Sequence, residues 1–409
     1  MSSMKKDKIE IGRENSMKKR LERKRMWGGV AFIGLNLIMG LIVGFVGVIV
    51  VMRQGRLDSD DGDLGFVIWL FGFFVMLALS SYLQIVIHEF GHFIFGKLSG
   101  YSLSSFRIGK IAFVKKGEKV VVQKLNVPGT GGQCLMSPPE INPYNIPYFL
   151  YNMGGAFANL IVSVVCLILY FFCYKVPYLS ELLVILSITG VFTALTNGIP
   201  LENKLVKNDG GNVVELVKHV NARRDFWLQL TINHQYMNGV RYKDMPREWF
   251  LVTGNVEDQS ALSYTMWIYS MMRDFDNLEI EKVKEAIEVL LEKGVKMVGM
   301  HRNELLCEQL FCEMLLNDDV EEVKKLYTKE LKRYAAMTGT NMGRQRLLYG
   351  YHSLIEKDEK KAEKALKTFE KQSQKNPIQA EVEMEKEWME LLTKRIAKKQ
   401  EPEVLEEER

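Results

Sequence analysis

A mainly α, polytopic membrane fold is predicted by three observations in this 409-residue chain. Four apolar runs in the first half are each long enough to cross a hydrocarbon core of about 30 Å. The second half is charged and amphipathic, so a mean hydropathy of −0.06 averages two unlike regions. Between the second and third runs, two short segments rich in β-branched and aromatic residues flank a Lys-Gly-Glu turn and add a small β-hairpin. The expected organisation is a basic segment at 1–25, a four-span core at 26–210 with a β loop at 97–147, and a helical domain at 211–409.

The first run, Met26 to Met52, is longer than the apolar core of a signal peptide and lacks a small-residue cleavage site, so it is expected to stay as an anchor. Ten Lys and Arg residues from Lys5 to Arg25 precede it, while Asp58, Asp60, Asp61 and Asp63 follow it. That bias puts the amino terminus in the cytoplasm. The second run is Leu64 to Phe95, the third Tyr148 to Cys173 and the fourth Leu179 to Ile199, which returns the carboxyl terminus to the cytoplasm. The expected location is therefore a cell membrane, of bacterial type, with several passes and the bilayer as a constant partner.

The loop from Lys97 to Pro147 falls on the cytoplasmic side, in keeping with Lys97, Arg107, Lys110, Lys115, Lys116, Lys119 and Lys124. Within it, Lys110–Lys115 and Lys119–Lys124 flank Lys116-Gly117-Glu118 as a hairpin whose edge can receive an extended strand. Gly129-Thr130-Gly131-Gly132-Gln133 lacks the lysine and hydroxyl residue of a phosphate-binding loop and reads as a tight turn dipping towards a metal site on the second span.

Beyond Gly211, helical periodicity is expected around Ser260–Met272, Ile280–Leu291, Glu304–Leu316, Val320–Ala335, Arg346–Ile355 and Lys361–Phe369. Turns near Asp276, Asp318 and Asp358 recur at roughly 40-residue spacing, a weak analogy to helical-hairpin arrays of the tetratricopeptide kind. Such a domain offers a groove for a protein partner. Lys394 to Arg409 reads as a frayed, charged tail. The net charge of +4 is mostly a topology signal, without the footprint of a nucleic-acid partner. The five cysteines lack C-x-x-C spacing, which argues against a disulfide framework or a thiolate zinc site.

The most specific signal is His88-Glu89-Phe90-Gly91-His92 inside the second run. On a helix, His88 and His92 share one face and can reach a single zinc ion, with Glu89 projecting beside it. A charged group at membrane depth costs about 2.5–3.5 kcal/mol on insertion scales. Metal coordination is one of the few ways to offset that cost. Gly91 costs about 1 kcal/mol of helix propensity relative to Ala, which close backbone approach or helix packing would explain. A catalytic zinc needs a third protein ligand and an open position for water. His219, His234, His301 and His352 lie in the charged half, and Glu181 falls at the opposite membrane face. Asp209, after the inward end of the fourth run, is the better candidate, although Asp209-Gly210 is also an ordinary turn signal.

These residues resemble the site-2 protease family of intramembrane zinc metalloproteases, which has H-E-x-G-H on one span and a later N-x-x-P followed by D-G. Here they stand as His88–His92, Asn197–Pro200 and Asp209-Gly210, and Gly155-Ala156-Phe157-Ala158-Asn159 matches a G-P-x-x-N element with Ala156 in place of proline. The resemblance implies that His88, His92 and Asp209 bind zinc, that Glu89 is the catalytic base and acid, and that Asn159 and Asn197 hold substrate. The implied substrate is a membrane-anchored protein or peptide, cut within or near the cytoplasmic leaflet. The opposing expectation is an inactive membrane scaffold that presents the helical domain. The loop between the second and third runs is too short for the inserted peptide-binding domain of many family members.

Overall fold

The computed structural model describes residues 30, 33–34, 36–49, 62–116, 119–124, 131–200, 207–252, 261–293 and 299–400. The chain divides into two units, Met1–Trp227 and Leu228–Arg409.

In the first unit, α1 (Asn36–Ile49) is a short apolar helix. It is followed by α2 (Gly62–Leu98), a sheet of β1 (Ser102–Ile108), β2 (Ile111–Lys116), β3 (Lys119–Lys124) and β4 (Gly132–Ser137), then α3 (Tyr148–Cys173), α4 (Leu179–Gly198), α5 (Asp209–Lys218) and α6 (Val220–Met237). The unit boundary falls inside α6. Three helical stretches among the described residues, Val67–Leu98, Pro143–Cys173 and Leu179–Gly198, are long and apolar enough to cross a membrane. Of the four expected spans, that leaves Met26 to Met52, which lies partly outside the described residues; its described part, α1, is shorter than a span. The outward faces of α2 and α3 carry exposed Phe71, Phe74, Leu79, Phe90, Ile161, Val164, Phe171 and Phe172. So continuous an apolar surface suits a lipid environment and not water.

The inner packing of the helices depends on small residues. A Cβ on Gly91 would lie 2.4 Å from the carbonyl oxygen of Gly154, and one on Gly154 would lie 2.7 Å from that of Gly91. The two glycines therefore let the backbones of α2 and α3 touch, which settles the cost of Gly91 as helix packing. Val43 of α1 is buried with Trp69, Phe73 and Ile185, tying α1 to α2 and α4.

α2 ends where Gly100 takes φ +85° and the Tyr101 amide donates to the Gly96 carbonyl at 3.0 Å. Glycine enters this left-handed conformation without a steric penalty. The expected hairpin is present as β2 and β3, paired from Ile111↔Lys124 to Lys116↔Lys119. Its turn residues Gly117 and Glu118 lie outside the described residues. The sheet is larger than expected, with antiparallel order β3-β2-β1-β4. The flanking strands β1 and β4 were hidden because their serines, glycines and Arg107 interrupt any apolar alternation.

β4 lies along the inner part of α2. Cβ atoms on Gly131, Gly132 and Gly96 would meet Ile85, Glu89 and Met136 respectively. The expected turn at Gly129–Gln133 thus has its described part, Gly131 to Gln133, against α2; Gly129 and Thr130 lie outside the described residues.

The second unit is helical: α7 (Ala261–Asp276), α8 (Ile280–Lys293), α9 (Gly299–Leu316), α10 (Val320–Leu326), α11 (Lys329–Met337), α12 (Met342–Gly350), a π-helical turn (Tyr351–Glu356), α13 (Glu359–Lys375) and α14 (Gln379–Gln400). The expected helix Val320–Ala335 is split, because Thr328 accepts from the Leu331 amide at 3.2 Å and starts a new helix. Arg346–Ile355 is likewise divided between α12 and the π turn, which Lys357 ends at φ 54°. Lys394–Gln400 is helical where a frayed tail was expected, since Leu392 and Ile396 are buried and anchor the end of α14. Residues 401–409 lie outside the described residues.

Asp276, Asp318 and Asp358 mark helix boundaries of different kinds. Asp276 binds Arg241, Asp318 binds Arg395 and Lys399, and Asp358 caps α13. α-Helices of 7 to 18 residues separate them, which does not establish a tetratricopeptide repeat. The core of this unit is aromatic. Trp388 lies 4.4 Å from Phe275 and 5.5 Å from Phe311 between ring centroids. Arg346 is fully buried over Phe311 at 3.7 Å and bound to Glu385 and Glu308 at 2.7 and 2.8 Å. The two carboxylates and the ring face offset part of the lost hydration of this buried guanidinium.

Candidate metal centre

All residues of the centre belong to the first unit. Because α2 is regular, His88 and His92 stand one turn apart, with ring centroids at 4.7 Å and planes at 87°. Their Nε2 atoms are 3.1 Å apart. Asp209 Oδ2 lies 3.0 Å from Nε2 of His88 and 3.4 Å from Nε2 of His92. Among the described residues, these three form a group that could hold a metal ion, with ligand atoms all within 4.8 Å of one another.

Asp209 reaches this position through local turn chemistry. Asn208 caps α5 by accepting from the Gly211 amide at 3.0 Å, and its Nδ2 donates to the Thr196 carbonyl at 2.8 Å. The start of α5 is thereby bound to the end of α4. Gly210 permits the approach, since a Cβ there would fall 2.1 Å from the Gly198 carbonyl oxygen. Lys207 and Glu215 form an ion pair on the same segment. The eight residues between Pro200 and Asp209 therefore do not carry the carboxylate away from the histidines.

Each histidine uses its second nitrogen elsewhere. His92 Nδ1 lies 2.7 Å from the Tyr151 carbonyl oxygen, which can only accept, so Nδ1 donates. Tyr151 is held in turn by donating to the Cys134 carbonyl at 2.9 Å and by stacking on Tyr101 at 4.7 Å. His88 Nδ1 lies 2.8 Å from Asn159 Oδ1. Gly155 makes room for the His88 ring, because a Cβ there would fall 2.5 Å from Cε1.

Glu89 is buried beside β4, where Gly132 leaves space for it; a Cβ would lie 2.5 Å from Glu89 Cγ and 2.7 Å from Oε1. Arg107, expected as one of the basic residues that place the loop in the cytoplasm, is buried and donates to the carbonyls of Gly109 at 2.6 Å and Gly132 at 3.2 Å. Its charge thus lies on the strand end that faces Glu89.

Asn159 has no exposure and is in the centre, but both hydrogens of its Nδ2 are committed to Gln84, at 2.9 Å to the carbonyl and 2.7 Å to Oε1. Asn197 bonds back to the Thr193 carbonyl of its own helix at 2.9 Å and is not among the three clustered residues. His219, His234, His301, His352 and Glu181 are not in the cluster either. Sequence reasoning missed Gln84, Tyr151 and the place of Arg107. Gln84, four residues before His88 in an apolar run, carried a usable signal: an uncompensated amide at membrane depth needs partners.

No curated protein and no solved structure matches the chain. The model of Peptidase family M50, which corresponds to the site-2 protease family, matches residues 73–394, most of the chain. With the His-Glu-Phe-Gly-His helix, the converging aspartate and the apolar helices around them, that match identifies the chain as a member of peptidase family M50.

Proposed function

We propose that this chain is an intramembrane zinc metalloprotease that hydrolyses a peptide bond of a membrane-anchored protein or peptide within or near the cytoplasmic leaflet. The observation that carries the reading is the convergence of His88 Nε2, His92 Nε2 and Asp209 Oδ2, from two elements 121 residues apart in sequence, with Glu89 alongside. The donor set fits zinc. Its pairwise separations are 3.0, 3.1 and 3.4 Å. Ligands at about 2.0–2.1 Å from a tetrahedral ion stand about 3.3 Å apart, and three protein ligands leave one position open.

When bound, the metal supplies Lewis acidity, polarising the substrate carbonyl and acidifying a water molecule. His88, His92 and Asp209 would hold it. Glu89 accepts the proton of the attacking water and delivers it to the leaving amine. Burial of Glu89 under β4 keeps bulk water from that transfer. A helical substrate must be unwound first, since its carbonyls are already hydrogen-bonded. Access from the bilayer is supported by a cavity of about 820 Å³ between α1, α2 and α4, which reaches Ile85, one turn before Glu89. Both termini are assigned to the cytoplasm on the basic bias before Met26, in a cell membrane of bacterial type. The helical second unit offers a surface for a protein partner.

The test compares peptide fragments from membranes of cells expressing the native chain or Glu89→Gln, with zinc content measured in both. Fragments that require Glu89, with zinc bound in both proteins, are expected. Identical fragment sets, with zinc bound and a cleavable membrane protein demonstrably present, would overturn the reading.

A further inference from the structure

We infer that Asn208 is a positioning residue for the metal centre: its side chain joins α4 to α5 and so holds Asp209 at the histidines independently of the length of the connection between the two helices. This rests on the metalloprotease reading above.

Asn208 immediately precedes Asp209 and lies outside the motifs on which the family resemblance rests. Its side chain caps two helices at once. Oδ1 accepts from the Gly211 amide at 3.0 Å, which satisfies a donor in the first turn of α5. Nδ2 donates to the carbonyls of Thr196 at 2.8 Å and Ile199 at 2.5 Å, at the end of α4, where the helix has no next turn to bond them. A backbone N–H only donates and a carbonyl only accepts, so the amide has one orientation. Aspartate caps a helix start about as well as asparagine. It has no hydrogen to give to α4, so capping alone does not account for asparagine here.

The joint matters because of what adjoins it. Neighbouring Cα atoms are about 3.8 Å apart, so the pinned residue and the ligand-bearing residue move together. Between Pro200 and Asp209, residues 201–206 lie outside the described residues. Two other contacts hold this segment, and neither replaces the amide. Gly210 rests on the Gly198 carbonyl, a contact that limits how near the helix ends come but has no direction. The Lys207–Glu215 ion pair lies within the α5 segment and makes no tie to α4. The bonds of Nδ2 are directional, and a metal site tolerates ligand shifts of only about 0.2 Å. With α5 fixed to α4 in this way, the connection has only to close a loop, and the cost of closure grows slowly with length.

The experiment uses the full chain in lipid nanodiscs and measures zinc affinity by chelator competition. Asn208→Asp keeps the cap and removes the tie to α4, while Asn208→Ala removes both. Each protein is made with and without four Gly-Ser residues inserted after Lys204. The native chain should tolerate the insertion with a loss of no more than about 3-fold. Asn208→Asp should bind about 10- to 100-fold more weakly, and the insertion should then cost it more than it costs the native chain. The added negative charge by itself favours a cation, so weaker binding in this variant is not a charge effect. If Asn208→Asp matches the native chain while Asn208→Ala does not, the role is capping alone and the proposal is overturned. Equal losses on insertion in the native chain and in Asn208→Asp overturn it as well. A second measurement needs no metal: spin labels on Val191→Cys and Val217→Cys, at exposed positions of α4 and α5, in a Cys173→Ser chain whose other cysteines are buried. The native sequence at 208 should give one narrow distance and Asn208→Asp a broadened distribution; identical distributions overturn the joint whether or not zinc binds. Broadening in a chain that binds no zinc would uphold the joint and count against the metalloprotease reading instead.

Discussion

Replacing Gly155 by alanine should empty the metal centre without replacing any ligand. A Cβ at this position would lie 2.5 Å from His88 Cε1 and 2.6 Å from both ring nitrogens. Non-bonded carbon atoms settle at about 3.5–4.0 Å, so the ring must retreat by about 1 Å. α3 cannot yield instead, because Gly154 already rests on the Gly91 carbonyl, where a Cβ would lie only 2.7 Å from the oxygen. Metal sites tolerate ligand displacements of about 0.2 Å, so a retreat of this size takes His88 out of coordination. The expected loss of zinc affinity is about 100-fold or more, beyond the 10- to 100-fold typical of residues that only support a ligand. Overpacking adds about 1–3 kcal/mol of destabilisation. The assay is metal content of the purified protein across a chelator series, read beside product formation in membranes. Gly72→Ala is the control, since a Cβ there meets nothing within 4 Å and alanine favours the helix. If Gly155→Ala binds zinc as tightly as the native chain, then His88 is not held where the α2–α3 packing puts it and the reasoning fails.

Gly132→Ala brings a Cβ within 2.7 Å of Glu89 Oε1, so turnover should fall by about 10²- to 10⁴-fold while zinc is retained; parallel loss of zinc would refute the separation of roles. Glu381, in the second unit, has its pKa raised to about 7 from an ordinary 4.5 by burial, helped by the charges of Glu385 and Glu304 and opposed by a hydrogen bond from Asn376. A folded-state pKa above the unfolded one gives stability that is full below about 4.5 and is lost as pH climbs through about 7, on the order of 1–3 kcal/mol. Glu381→Gln should flatten that decline in thermal unfolding between pH 5 and pH 8, whereas parallel curves would count against a buried carboxyl. Trp388→Ala removes a fully buried ring between Phe275 and Phe311 and a hydrogen bond to the Phe275 carbonyl, and should cost about 3–5 kcal/mol. Limited proteolysis should then cut within Leu228–Arg409 far faster than in the native chain; equal rates would refute the core assignment.

The histidine motif was legible because its spacing is a property of one helix, as were the apolar runs and the β2–β3 hairpin, whose patterns are local. Asp209 was harder, since it depends on Asn208 bonding to α4 and on Gly210 admitting a carbonyl, and neither contact leaves a periodic trace. The break at Thr328 and the helical extension to Gln400 turned on a cap and on buried apolar contacts that helical periodicity alone does not rank.

Sequence alone therefore determined which chemistry the chain can carry: two imidazoles and a carboxylate on one apolar helix demand a metal or an equivalent partner. Only the tertiary structure decided how that chemistry is held. Gln84 and Asn159 look like isolated polar residues until α2, α3 and α4 close around them, and Gly132, Gly154, Gly155 and Gly190 look like weak helix or strand formers until the atoms they admit are seen. Hydrogen-bond direction and missing side-chain volume are relations between segments, so they take their meaning from packing and not from the order of residues along the chain.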